Sequence, residues 1–235
     1  SNAPRLPRPA GTTIRNPAPP ISQSTCLRIQ LIFAIMTHPL ATAMSATERP
    51  PVMEARRWLD GVSFPPDRPL LNVSQAAPVD PPPDQMRAAM VEAILNDAST
   101  HLYGPVLGLP ELRAEVAGQW TTSYGGTIAP ENVAITSGCN QAFCAALATL
   151  AGAGDEVLLP TPWYFNHEMW CDMAGVRAVP LPCGDGMIPD ADRAATLMTD
   201  RTRAIVLVTP NNPTGAEYPA ETLNAFRDLA RARGV

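Results

Sequence analysis

The 235-residue sequence contains no lysine; all 17 of its basic residues are arginines. Any reaction that needs a lysine amine therefore has no candidate within these residues. Net charge is −5, and the acidic residues are spread along the chain. A clustered basic face is missing, which argues against a nucleic-acid binder. The three histidines, His38, His101 and His167, are far apart and lack metal-ligand spacing. The five cysteines are odd in number and form no C-x-x-C pair, so neither a disulfide framework nor a zinc knuckle is indicated. A reducing, cytoplasmic setting is the simpler expectation. No G-x-G-x-x-G follows a strand, which excludes the usual dinucleotide-binding turn. No apolar run is long enough to span a bilayer, so no membrane role is expected.

The first 50 residues read as a tag remnant (Ser1-Asn2-Ala3) followed by a disordered tail rich in Pro, Thr, Ser and Arg. Upstream sequence ahead of a later start at Met36, Met44 or Met53 would look the same. The run Leu31–Met36, "LIFAIM", has arginines before it and Ala41-Thr42-Ala43 after it, as a secretory signal would. It is short for that role, and Gln30 and His38-Pro39 crowd it. The proline-rich stretch shows no helix-turn-helix pattern, so a DNA-binding regulator is not supported.

Order is expected from about residue 51, with an arm over 51–84 and a larger unit over 85–235. "EARRWLDG" is a helical candidate ending at Gly61, and "PLLNV" a short strand before a proline-rich segment. Asp84 is expected to cap a helix, "QMRAAMVEAILND", whose Met86, Ala89, Met90, Ala93 and Ile94 share one face. Pro110 opens another helix, with Leu112, Val116 and Trp120 as its buried stripe. From Asn132 strands and helices alternate: "NVAIT", "EVLLP", "RAVPLP" and "RAIVLVT" read as strands separated by helical patterns. Strands that are apolar on both faces, with helices between them, predict a three-layer α/β/α fold around a mostly parallel sheet.

Ligands in such sheets bind beyond the carboxyl ends of the strands, which directs attention to three loops. "TSGCNQA" (Thr136–Ala142) turns at Gly138 into a helix whose first amides could hold a phosphate. An ordinary N-cap made by Ser137 or Asn140 is the alternative. "PTPWYFNH" (Pro160–His167) presents three consecutive aromatics that could stack on a flat ring or simply fill the core. "NNPTG" (Asn211–Gly215) follows an apolar strand; Pro213 fixes the backbone after Asn212, and Gly215 permits a tight turn. A plain β-turn would read the same way.

Taken together with "YGPVLGLPELR" (Tyr103–Arg113) and "AGAGDEVLLPTPWY" (Ala151–Tyr164), these loops resemble the class I/II aminotransferases, pyridoxal 5'-phosphate enzymes of fold type I. The resemblance runs from about residue 71 to 235. It implies that residues 51–84 belong to the small-domain arm and 85–235 to the first part of the cofactor-binding large domain. It implies that Gly138, Cys139 and Asn140 hold the cofactor phosphate, that Tyr164 stacks on the pyridine ring, and that Asn212 donates to the ring 3-oxygen. Tyr103 matches a tyrosine that reaches the neighbouring subunit's phosphate, so a homodimer is implied. Ala76 stands where the family usually has a glycine beside the substrate carboxylate, which leaves that substrate contact open.

The resemblance also implies amino-group transfer between an amino acid and a 2-oxo acid. A C–S lyase or decarboxylase of the same fold would share these motifs, and a non-catalytic module could keep the fold without the reaction. The family's reactive lysine, the acid paired with the pyridine nitrogen and the carboxylate-gripping arginine all lie beyond the "NNPTG" motif. The expectation is therefore the N-terminal part of an aminotransferase, inactive alone, with an unpaired edge strand and an uncovered core face.

Overall fold

The computed structural model describes residues 40–75 and 78–235. The tail before residue 40, including the "LIFAIM" run, and Ala76 lie outside the described residues. Along the rest, the helices are α1 (Thr42–Ala46), α2 (Pro51–Arg57), α3 (Asp84–Asn96), α4 (Pro110–Tyr124) and α5 (Cys139–Leu150). Strand β1 (Glu156–Thr161), α6 (Phe165–Ala174), β2 (Arg177–Pro182), α7 (Ala191–Leu197), β3 (Thr202–Ile205) and α8 (Ala220–Arg233) complete the series.

The three strands form one parallel sheet in the order β2–β1–β3. The middle strand is buried from Glu156 to Pro160, and its side chains alternate between two cores. Val157 and Leu159 pack with Leu147 of α5 and Cys171 of α6. Leu158 points the other way and joins Val179, Leu181, Ala194 of α7 and Phe226 of α8. The period-two geometry of a strand sends successive residues to opposite faces, so one apolar run serves both helical layers. This is the three-layer α/β/α arrangement expected from the sequence.

At the amino end of β1, Glu156 is 1% exposed and is held by three neighbours. Its carboxylate accepts from Thr199 Oγ1 at 2.6 Å, from Arg201 Nη2 at 2.7 Å and from Arg177 Nη1 at 3.1 Å. A buried carboxylate is tolerated when its lone pairs are satisfied in this way. The bond from Thr199 is the largest influence holding the Glu156 carboxyl below its ordinary value, with the two arginines adding to it and burial opposing. The β1–β3 register shifts between Glu156 and Val157, leaving Arg203 as the extra residue of a bulge, where it pairs with Asp155 at 3.0 Å.

Asp84 does not cap α3: it is the first helical residue, Pro83 stands at the N-cap, and no side chain caps the helix. Four further local expectations differ from the structure. Residues 133–136 of "NVAIT" are extended but join no ladder; Ile135 N–H donates to Leu107 C=O at 2.9 Å. The segment around Leu71 and Val73 is likewise no strand, and both side chains are largely exposed. The apolar faces of α3 and α4 are uncovered: Met86, Met90, Ile94, Leu112 and Trp120 are exposed, and Ala117 is the buried residue of α4. The last strand of the sheet ends at Ile205, although Val206 N–H still donates to Leu158 C=O at 3.0 Å. In each case the sequence pattern reports an apolar or extended preference. Pairing and cover depend on what stands opposite, and the described residues supply single hydrogen bonds at Ile135 and Val206 rather than a ladder, and leave the faces of α3 and α4 open.

Candidate functional site

Helix α5 begins at Cys139, with Gly138 as its N-cap at φ +93° and ψ 166°. That backbone region is essentially restricted to glycine. Neither Ser137 nor Asn140 caps the helix; no side chain does. Instead the Gln141 side chain turns back to accept from Ser137 N–H at 2.6 Å. Thr136 Oγ1 donates to Gly138 C=O at 2.9 Å, which steadies the turn. The first helical bond is Ala142 N–H to Gly138 C=O, at 3.3 Å. The amides of Cys139, Asn140 and Gln141 precede it, at the positive end of the helix dipole.

The second loop leaves the carboxyl end of β1 and runs into α6. Asn166 Nδ2 donates to Tyr164 Oη at 2.6 Å and to Asn140 Oδ1 at 3.1 Å. This one amide links the aromatic loop to the start of α5. His167 is buried between two rings: it stacks on Phe143 with centroids 4.2 Å apart and meets Tyr164 edge-on at 5.2 Å. Burial pushes the His167 imidazole below its ordinary value, so the ring is held in its neutral form. Neither motif nor spacing singles out Asn166, and His167 stands in the sequence only as a histidine without metal-ligand spacing. The signal for both was their place one and two residues into α6, directly after Tyr164 and Phe165.

In the third loop the two asparagines do different work. Asn211 is buried and its side chain is consumed by the loop itself. Its Nδ2 donates to Tyr218 Oη at 3.1 Å, while its Oδ1 accepts from Thr214 N–H and Oγ1 at 3.2 and 2.9 Å. Gly215, at φ +75°, donates its N–H to Asn211 C=O at 2.7 Å and closes the turn. Asn212 is left exposed at the turn's outer side.

Tyr164 and Asn212 line one cleft of about 510 Å³. Their loops thus meet at the carboxyl edge of the sheet, and Asn166 connects the Tyr164 loop to α5. Asn140 is joined to Tyr164 through Asn166, Cys139 precedes it as the first residue of α5, and neither lines the cleft. Tyr103 stands apart, fully exposed in the loop before α4. Arg113, from the same stretch, donates to the carbonyls of Val133 and Pro130 at 2.7 and 2.8 Å, fastening α4 to the segment that leads to Gly138. Among the described residues no His, Cys, Asp and Glu are grouped to hold a metal ion, and no helix is long and apolar enough to cross a membrane.

Chemically, the edge offers free helix amides for an anion, an aromatic face for a flat ring and a primary amide for a ring oxygen. In α/β sheets the carboxyl edge is where ligands generally bind, and a helix N-terminus there suits an anion. Residues 68–235 match the family model of class I and II aminotransferases, and the chain belongs to that family. It is 34% identical over 151 residues to the aspartate/prephenate aminotransferase of Thermus thermophilus, covering 63% of this chain and 38% of that protein. It is 35% identical over 169 residues to the probable N-succinyldiaminopimelate aminotransferase of Mycobacterium tuberculosis, covering 70% and 42%. In structure it resembles the alanine aminotransferase from Pyrococcus furiosus, with a TM-score of 0.72 and 27% identity over 84% of this chain and 50% of that one. The chain therefore spans about half, or less, of the length of these relatives.

Proposed function

We propose that this chain forms the cofactor-holding portion of a pyridoxal 5'-phosphate-dependent aminotransferase that moves an amino group between an amino acid and a 2-oxo acid. The convergence of Tyr164, Asn166 and Asn140 by hydrogen bonds, with Asn212 sharing the Tyr164 cleft, is the observation that carries this reading. The backbone amides following Gly138 receive the phosphate, with Cys139 and Asn140 closest to the helix end. The Tyr164 ring supports one face of the pyridine, and the Asn212 amide donates to its 3-oxygen. When bound, the cofactor supplies the electron sink for the substrate's α-carbon. The protein's part is to hold and orient it, and the fixed loop around Asn211 keeps the Asn212 donor in place.

The relatives named above all carry aminotransferase names, which favours transfer over the elimination and decarboxylation reactions that share these motifs. The 235 residues contain no lysine, so within them the cofactor is held by non-covalent contacts. Tyr103, with its fully exposed ring, reaches toward the site of a second copy in a homodimer, and the uncovered faces of α3 and α4 are consistent with such an assembly. Ala76 is assigned to the substrate carboxylate by the family resemblance alone. Among the described residues Cys139, Cys144, Cys171 and Cys183 are free thiols, which fits a cytoplasmic enzyme.

Calorimetric titration with pyridoxamine 5'-phosphate tests the reading, because this ligand needs no lysine. Saturable binding is expected, weakened about tenfold by Asn212→Ala, the order expected for loss of a hydrogen bond to a charged partner. Absence of saturable binding up to about 1 mM, a very weak free energy for so many contacts, would overturn it.

A further inference from the structure

The Asn211–Gly215 loop is held in two distinct ways. Bonds within the loop set its shape. Gly215 N–H donates to Asn211 C=O at 2.7 Å, Asn211 N–H donates to Ala216 C=O at 2.8 Å, and the Thr214 hydroxyl accepts from Ala216 N–H at 3.2 Å. These contacts move with the loop and do not fix where it sits. The placing contacts come from Tyr218, just beyond the turn. Tyr218 is 6% exposed, its Oη accepts from Asn211 Nδ2 at 3.1 Å, and its N–H donates to Thr209 Oγ1 at 2.8 Å. Given the proposed cofactor site, on which this inference rests, we propose that Tyr218 is a positioning residue, acting through Asn211 to aim the Asn212 amide at the ring 3-oxygen.

Asn212 is exposed, so packing does not hold its side chain. Its direction is inherited from the preceding peptide, whose carbonyl belongs to Asn211. Asn211 is buried, and its side-chain amide reaches out of the turn to a buried phenol. A close-packed ring has a defined position, and the hydrogen bond passes that position to the loop. The bond from Tyr218 N–H to Thr209 joins the chain leaving the loop to the chain entering it, which keeps the ring at the loop's base. Burial, and then proximity to Cys183, push the Tyr218 phenol above its ordinary value, against the bond from Asn211. The oxygen therefore stays a neutral acceptor for Asn211. Asn211 also lines a narrow crevice with Tyr164 and His167, so the anchored residue borders the ring assigned to the pyridine face. A donor aimed beforehand loses less freedom when the ligand arrives, and the affinity gains accordingly.

Two ligands that differ at one oxygen test the assignment. Pyridoxamine 5'-phosphate carries the 3-oxygen, and 3-deoxypyridoxamine 5'-phosphate lacks it. Tyr218→Phe keeps the buried ring and removes the oxygen that accepts from Asn211. Calorimetry on the full chain should find this variant weaker by about threefold to fivefold for pyridoxamine 5'-phosphate, the order of one misplaced hydrogen bond, and unchanged for the 3-deoxy ligand. Thr209→Val, which removes the other tie at an exposed position, should show the same selective loss. In the Asn212→Ala background Tyr218→Phe should have no further effect on pyridoxamine 5'-phosphate, because the aimed group is already gone.

Equal weakening of both ligands by Tyr218→Phe would make Tyr218 a merely structural residue and overturn the proposal. Unchanged affinity for both, or an effect that persists in Asn212→Ala, would overturn it as well. Should Tyr218→Phe not fold, Thr209→Val decides with the same two ligands. If the wild-type chain does not bind pyridoxamine 5'-phosphate, the cofactor reading fails and this proposal falls with it. If the wild type binds and neither variant shows the selective loss, only the role of Tyr218 fails.

Discussion

Asn166 donates its side-chain amide to the phenol oxygen of Tyr164 at 2.6 Å. The same nitrogen lies 3.1 Å from Asn140 Oδ1, so a single residue of α6 sets the spacing between an aromatic face and a helix N-terminus. Removing it in Asn166→Ala frees the Tyr164 ring while leaving the hydrophobic core intact. The expected result is pyridoxamine 5'-phosphate affinity lower by about fivefold, in line with a net hydrogen bond of roughly 1 kcal/mol, with little change in thermal midpoint. Calorimetry alongside a melting curve separates the two effects; a large drop in melting temperature with unchanged affinity would assign Asn166 a purely structural role.

Gly138 tests the helix entrance. A Cβ added there meets nothing within 4 Å, so crowding is not the obstacle. The obstacle is the backbone, whose φ of +93° is poorly accessible to any residue with a side chain. Gly138→Ala is expected to cost about 1–3 kcal/mol of stability and to weaken inorganic phosphate binding as the turn relaxes. Urea unfolding and phosphate titration measure the two; a neutral substitution on both would show that the turn is not strained in the way its angles indicate.

The carboxylate of Glu156 should make the fold sensitive to acid. Its folded value is depressed, chiefly by the Thr199 hydroxyl and then by Arg201 and Arg177. A depressed acid stabilises the native state at pH above its unfolded value of about 4.3, and that contribution disappears as pH falls through the folded value. The stability gap between wild type and Glu156→Gln should therefore be widest near neutrality and close under acid. Unfolding curves at a series of pH values follow the gap, and one that stays constant down to strong acid would rule out the linkage.

His167 acts in a different pH window. Burial depresses its folded value, so the unfolded chain binds a proton first as pH drops below about 6.5. Stability is full above that point and declines below it, levelling off once the folded imidazole also protonates. His167→Phe should preserve the stacking on Phe143 and remove this slope. Comparing unfolding midpoints at about pH 7.5 and about pH 5.5 gives the answer; equal slopes in the two proteins would mean that His167 does not carry the dependence.

Much of this was legible in the chain, though unevenly. The apolar run Val157–Leu159 announced a strand buried on both faces, and the structure divides those residues between two cores as period-two geometry requires. The helices starting at Pro110 and just after Asp190 were readable because proline at a first turn and aspartate at an N-cap act locally; Asp190 indeed accepts from Arg193 N–H at 2.7 Å. The buried stripes assigned to α3 and α4 were not legible in the same sense. Amphipathic spacing states that a face seeks cover, and Met90 and Trp120 remain uncovered by the described residues. The strand reading of "NVAIT" failed for a related reason, since β-propensity needs a partner strand before it becomes a ladder.

The sequence by itself determined the alternation of strands and helices, the turn chemistry of Gly138 and Asn211–Gly215, and the absence of any lysine. Each of these depends on near neighbours in the chain or on composition alone. The tertiary structure decided which of two adjacent asparagines faces the cleft, that Asn166 bridges two loops, that His167 is sandwiched between rings, and that Glu156 is shared by residues 21 to 45 positions away. Those outcomes rest on distances between segments remote in sequence, and only the packed sheet brings such segments within hydrogen-bonding range.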